Sequence, residues 1–227
     1  MAESSRIQLF VKASEDGESV GSCPSCQRIF MVLLLKGVPF TLTTVDARRS
    51  PDVLKDFAPG AQLPVLLFDG QPKTDTIQME EFLEETLAPP NFPSLQVRLP
   101  ESSSAGDDVF LRFSAYVKNP DPGRDEALRL RLLRALWKLE GHLTEEGRGQ
   151  RGPFLEGDHM TLADCRLLPK LNIVEVVCRH FRPALLPPDM WGVRRYLQAA
   201  RGAKEFRFSC PTDLEILQAY RQVVRPI

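Results

Sequence analysis

The sequence predicts a two-part protein: a mixed α/β domain over residues 1–88, a proline-rich linker over 89–94, and an all-helical domain over 95–227. Three observations carry this reading. Strand-like and helix-like runs alternate through the first part, three prolines crowd Ala88-Pro89-Pro90-Asn91-Phe92-Pro93-Ser94, and leucine and valine recur at helical spacing beyond them. A chain of 227 residues suits one large or two small domains, and 43% apolar residues are enough to bury their cores.

The elements follow in order. Ile7-Gln8-Leu9-Phe10-Val11 is a short β-prone run, Ser14–Ser22 is turn-like, and the apolar run Ile29–Leu35 stops at Gly37, a residue suited to the C′ position of a helix. Pro39–Val45 is rich in β-branched and aromatic residues and predicts a strand. Pro51–Phe57 predicts a short helix with proline at its start, and Pro64–Phe68 a strand running into an Asp69-Gly70 turn. Thr76–Leu87 closes the domain as a helix. This order predicts a small mixed sheet with helices on both faces.

The linker prolines fix φ repeatedly and bar a continuing helix or a central strand. Beyond them, Leu128, Leu132, Leu133, Leu136 and Leu139 mark one helix, and Leu162, Leu167, Leu168, Leu171, Val174 and Val177 another. Thr161-Leu162-Ala163-Asp164 is a capping box that starts the second, with a structural role only. Glu101–Ala105 and the Gly/Arg-rich Glu145–Gly152 read as short loops.

Charge and cysteine usage narrow the function classes. Lys+Arg total 29 against 30 Asp+Glu, for a net charge of −1. Residues 1–90 carry 8 basic and 13 acidic side chains (−5), the remainder 21 and 17 (+4). A balance this close to neutral argues against nucleic acid as a partner, which demands a surplus of cations. Five cysteines without regular spacing do not form a secreted disulfide framework, and Met1–Arg6 lacks an apolar signal segment, so a reducing cytosolic setting is expected.

The sharpest chemical feature is Cys23-Pro24-Ser25-Cys26, between a strand and loop and the first apolar helix. With Pro24 at N1, Cys23 is the N-cap, and its sulfur would face the free N–H groups of Ser25 and Cys26 and the positive end of the helix dipole. An unperturbed thiol, pKa about 8.5, is only about 3% ionised at pH 7, whereas one lowered to about 6 is roughly 90% ionised. Cys23 is therefore the candidate nucleophile. Cys26, deeper in the helix, is the candidate resolving thiol for a mixed disulfide on Cys23. The pair could also be half of a zinc site or simply buried. Against zinc, Cys165, Cys178, Cys210, His142, His159 and His180 form no second C-x-x-C or H-x₃₋₅-H pair, and no metal is expected. Cys165 and Cys178 lie within apolar helical patterns and read as packing residues.

The run Phe10–Gly70, Pro93–Lys118 including Glu101–Gly106, and Phe154–Leu171 with Thr161-Leu162-Ala163-Asp164-Cys165 resemble the chloride intracellular channel family over nearly the whole chain. The resemblance implies a glutathione-transferase-like fold, with a thioredoxin-like α/β N-terminal domain and an all-α C-terminal domain. It further implies that Cys23 is the glutathione-reactive thiol, that Leu63-Pro64 is a cis-proline dipeptide pairing with the cysteinyl part of glutathione, and that Asp75 and Thr76 complete the pocket. Asp75 and Thr76 head the Thr76–Leu87 helix, where free N–H groups favour a carboxylate and an Asp accepts from an ammonium. Plain helix capping explains the same two residues. Lys12, at the end of the first strand, is placed to favour the Cys23 thiolate or to be an ordinary surface lysine. Several conjugating transferase classes use a tyrosine near the N-terminus. The first here is Tyr116, so the resemblance is to the glutaredoxin-like members. Relatives carry a longer acidic loop where this chain has only Thr144–Pro153.

The family name claims a channel. Ile29–Val45 is 17 residues, at the lower limit for crossing a bilayer, and contains Lys36, Gly37 and Pro39. Its apolar residues favour insertion by roughly 2–4 kcal/mol, which one central lysine largely offsets. A core helix and strand explain the segment better. The resemblance nonetheless implies a second, membrane-associated form, with Arg28 and Lys36 as the cations that would attract chloride.

The expected function is a glutathione-dependent, glutaredoxin-like thiol–disulfide oxidoreductase in the soluble state, with glutathione as cosubstrate and a disulfide or glutathionylated protein as partner. A monomer is expected when soluble, in cytoplasm and nucleus with a membrane-associated fraction. The alternatives are a membrane-inserting chloride channel in a second conformational state, and a non-enzymatic partner-binding module.

Overall fold

The fold is described from a computed structural model covering residues 6–46, 49, 51–144, 152–182 and 187–225. Two compact units divide at Gln96/Val97, with Phe208–Pro211 grouped with the first and Thr212 onward with the second.

In the first unit the described residues form a four-stranded mixed sheet. Strands β1 (Ile7–Lys12), β2 (Thr41–Val45), β3 (Val65–Phe68) and β4 (Gln71–Lys73) lie in the order β2-β1-β3-β4, with β1 parallel to β2 and the other pairs antiparallel. Side chains alternate across the sheet. Leu9, Val11 and Leu66 are fully buried on one face, where Phe68 meets Phe82 edge-on at 4.9 Å. Phe82 belongs to α2 (Thr76–Thr86), which packs against α1 (Pro24–Lys36). On the opposite face Phe10, Val45, Val65 and Leu67 form a second cluster with Leu54, Phe57, Ala58, Ala61 and Leu63.

One expectation for this unit needs correction, and one strand was not foreseen. The second face is covered by a coil containing only one 3₁₀ turn (Pro51–Leu54), in place of the helix expected over Pro51–Phe57. The Asp69-Gly70 turn forms as expected, but a strand that was not foreseen separates it from the next helix. With both residues at positive φ (47° and 80°) the turn closes a hairpin onto β4. Pro72 disguises that strand, yet it is tolerated because β4 is an edge and needs no second ladder.

α1 ends as expected, with Gly37 at φ 68° donating its N–H to the Leu34 carbonyl. Gly21, just before the cysteine pair, answers a different need. Its N–H donates to the Lys12 carbonyl at 2.7 Å, and an added Cβ would lie 2.3 Å from the Ala13 oxygen.

The second unit is helical: α3 (Pro100–Ser103), α4 (Val109–Val117), α5 (Pro122–Thr144), α6 (Leu162–Phe181), α7 (Trp191–Gly202), α8 (Lys204–Ser209, its last two residues in the first unit) and α9 (Asp213–Tyr220). Leu132, Leu136 and Leu139 of α5 and almost the whole of α6 are buried. The capping box is formed, and it reaches further than its four residues suggest. Asp164 is fully buried and accepts from the Thr161 N–H (2.8 Å), the Leu155 N–H (3.1 Å) and the Tyr196 hydroxyl of α7 (2.7 Å). Burial raises its pKa against those bonds. Most of the expected Glu145–Gly152 loop, residues 145–151, lies outside the described residues.

Candidate active site at the start of the first helix

The strand registers bring the expected site residues to one end of the sheet. Lys12 ends β1. Pro64 precedes Val65, which pairs with Phe10, and Lys73, which pairs with Leu66, ends β4 just before Asp75 and Thr76. α1 starts at the same end, because the Lys12 N–H donates to Cys26 Sγ at 3.4 Å.

Cys23 is the N-cap of α1, with extended backbone (φ −151°, ψ 107°) and Pro24 following. It is half-buried, while Cys26 is completely buried. The Cys23 pKa falls from 9.0 to about 6. The Cys26 S–H, donating to the Cys23 thiolate, is the largest cause. Burial opposes it; the amides of Cys26 and Ser25 and then the Lys12 ammonium assist. This reorders the expectation from sequence, which put the amides first. The Cys26 and Ser25 amides act on the sulfur as the free N–H donors of the helix start. The first turn of α1 contains no acidic residue to oppose the thiolate. Cys26 is pushed strongly upward, by its bond to Cys23 and by burial. Lys12 Nζ lies 3.5 Å from the Ser22 carbonyl and is otherwise exposed.

Leu63-Pro64 is a cis peptide. Pro64 is buried and Leu63 half-buried. Asp75 caps α2, its Oδ1 accepting from the Ile77 and Gln78 N–H groups at 2.9 Å each. Its second carboxylate oxygen has no partner among the described residues, and Thr76 stands half-exposed beside it.

Arg28 and Lys36 are elsewhere. Arg28 makes a two-pronged ion pair with the buried Glu80 of α2. The Lys36 side chain is fully buried, 2.6 Å from Glu84 and 2.8 Å from each of the Leu87 and Pro93 carbonyls. Both cations clasp α1 to α2 in this fold. Glu80 and Glu84 were missed from sequence; their only signal is a pair of carboxylates four residues apart on one helix face.

Cys178 is buried and its pKa raised to about 12, the reverse of Cys23. Cys165 is likewise buried. Among the described residues no group of three or more His, Cys, Asp or Glu could hold a metal, and no helix is long and apolar enough to cross a membrane.

A mixed sheet with a cysteine at the N-terminus of its first helix, followed by an all-helical unit, defines a thioredoxin-like domain within a glutathione-transferase-like fold. Solved structures of that class superpose on the chain. Dehydroascorbate reductase from Chlamydomonas reinhardtii matches with a TM-score of 0.84 at 24% identity, covering 96% of this chain and 99% of that one. Glutathione transferase Omega 3C from Trametes versicolor matches at 0.70 and 18% identity, over 91% and 89%. Sequence takes the assignment further. Residues 5–90 match the CLIC-like N-terminal domain, and chloride intracellular channel protein 3 from Homo sapiens is 63% identical over 236 residues, covering all of both chains. The chain belongs to the chloride intracellular channel family.

Proposed function

We propose that this protein is a glutathione-dependent thiol–disulfide oxidoreductase. The observation that carries the reading is the Cys23 thiol, lowered to about 6 beside a Cys26 thiol that keeps its proton. At pH 7 such a group is roughly 90% thiolate.

The chemistry follows from that pairing. The Cys23 thiolate attacks the glutathione sulfur of a glutathionylated substrate's mixed disulfide, forming a Cys23–glutathione disulfide and expelling the substrate thiolate, which takes a proton from water. A second glutathione, as thiolate, then attacks the glutathione sulfur of that disulfide, releasing oxidised glutathione and restoring the Cys23 thiolate. Cys26 offers a second exit. Once Cys23 is capped, the thiolate that held the Cys26 proton is gone, and Cys26 can ionise and attack Cys23. That step displaces glutathione and closes a Cys23–Cys26 disulfide, which two further glutathiones reduce. Asp75 supports the cosubstrate assignment, since its unpartnered oxygen suits the α-ammonium of the γ-glutamyl end and the α2 N-terminus its carboxylate. The superposed folds, dehydroascorbate reductase among them, support the same class.

Turnover of a glutathionylated peptide, coupled to glutathione reductase, tests this. Cys23→Ser should abolish it and Cys26→Ser should retain a monothiol rate. Full activity in Cys23→Ser would end the assignment.

The name of these relatives favours a second reading, a membrane-inserting channel. It requires the Arg28–Glu80 and Lys36–Glu84 pairs to open, so chloride efflux from liposomes should depend on the charges of Arg28 and Lys36. A non-enzymatic partner-binding module would instead keep its partners in Cys23→Ser.

A further inference from the structure

The outward side of α5 carries a feature unused by the thiol site. Arg131, Arg134 and Lys138 recur at three- and four-residue spacing and are all exposed, with Leu130 (40% exposed) and Trp137 (43%) alongside. None of the three cations makes an ion pair among the described residues. No acid of α5 pairs with these cations among the described residues. Glu126 is taken by Arg129, Asp125 is half-buried, and Glu140 is buried, accepting from the Gly192 and Val193 N–H groups of α7 at 2.8 Å each. Glu140 also fixes where α7 begins. Trp191, one residue before Gly192, therefore follows the chain past Glu140 near the end of α5. It is 54% exposed, with the Arg195 guanidinium stacked 5.2 Å from its ring.

Three unpaired cations on α5 beside an exposed leucine and an exposed indole, with a second exposed indole at the start of α7, match the layering of a lipid surface. Long cationic side chains reach the phosphates while indoles settle at headgroup depth. An acidic protein would satisfy the charges but would not call for two solvent-facing tryptophans. We propose that this α5–α7 face docks the folded protein peripherally on anionic phospholipid bilayers. The contact is independent of the thiol chemistry and requires no refolding of Ile29–Val45.

Co-sedimentation with vesicles of phosphatidylcholine alone, or with phosphatidylserine added, tests the proposal. The full chain should bind only the anionic vesicles, and Arg131→Gln/Arg134→Gln/Lys138→Gln should weaken binding on the order of 100-fold, at roughly fivefold per cation. Because the chain has 2 tryptophans, Trp191→Phe leaves Trp137 as the sole indole reporter. On binding, its emission should shift to the blue and be quenched by brominated lipid. Equal binding to neutral vesicles, an unweakened triple variant, or sedimentation with Trp137 unquenched would overturn it. So would binding to poly-glutamate with none to phosphatidylserine vesicles, which would assign the face to acidic proteins.

Discussion

Replacing Cys26 by alanine removes the donor that does most to hold Cys23 ionised. A hydrogen bond to a charged acceptor contributes about 1.5–3 kcal/mol, which at about 1.4 kcal/mol per unit is one to two pKa units. The Cys23 pKa should therefore climb from about 6 to roughly 7–8, and the thiolate fraction at pH 7 should fall from roughly 90% to between about 10% and 50%. Cys26→Ser keeps an O–H donor and should stay near the parent. Lys12→Met should move the midpoint least, since the lysine is exposed and the smallest contributor. The pH dependence of the second-order alkylation rate reads all three, with Cys23→Ser as the blank. An unchanged midpoint in Cys26→Ala would refute the reasoning and return the thiolate to the helix amides.

Lys36→Met strips the largely covered Glu84 carboxylate and the Leu87 and Pro93 carbonyls of their cation. It should cost about 3–5 kcal/mol, lowering Tm by roughly 6–20 °C for a chain of this size; a shift under about 2 °C by calorimetry would contradict the clasp. The lowered Cys23 pKa also sets a sign for stability against pH. The folded state binds fewer protons at Cys23 than the unfolded state between its folded value of about 6 and its unfolded 9.0. Its contribution is therefore full above 9.0 and is lost as pH falls through 6. Denaturant melts from pH 6 to 8 should show parent stability rising relative to Cys23→Ser, and a flat difference would oppose the assignment. Gly21→Ala forces a methyl onto the Ala13 oxygen; it should cost about 1–3 kcal/mol and slow Cys23 alkylation. Unaltered stability and reactivity would show that the loop yields freely.

The parts legible in sequence are those set by neighbours along the chain. Cys23-Pro24 announces a helix start because proline costs nothing at N1, and Gly37 announces its end because it alone tolerates a left-handed cap without strain. The leucine spacing of α5 foretold which side is buried. Pairings between distant parts of the chain were not legible. Arg28 and Lys36 look like free cations until α2 brings Glu80 and Glu84 to them, and Asp164 looks like a local cap until Tyr196 arrives from α7. β4 was hidden because Pro72 contradicts strand propensity, and only its edge position removes the contradiction. The order of forces on Cys23 was hidden for a similar reason. Sequence places the amides near the sulfur, while the orientation of the Cys26 thiol depends on how deeply α1 sinks against Lys12.

The most direct test is to trap the first covalent step. The Cys26→Ser protein, incubated at pH 7 with a glutathionylated peptide and then quenched with acid, should carry one glutathione, mapped by peptide mass spectrometry to Cys23 and absent from Cys165, Cys178 and Cys210. A Cys23 that stays unmodified while the peptide keeps its glutathione would contradict the account at its centre.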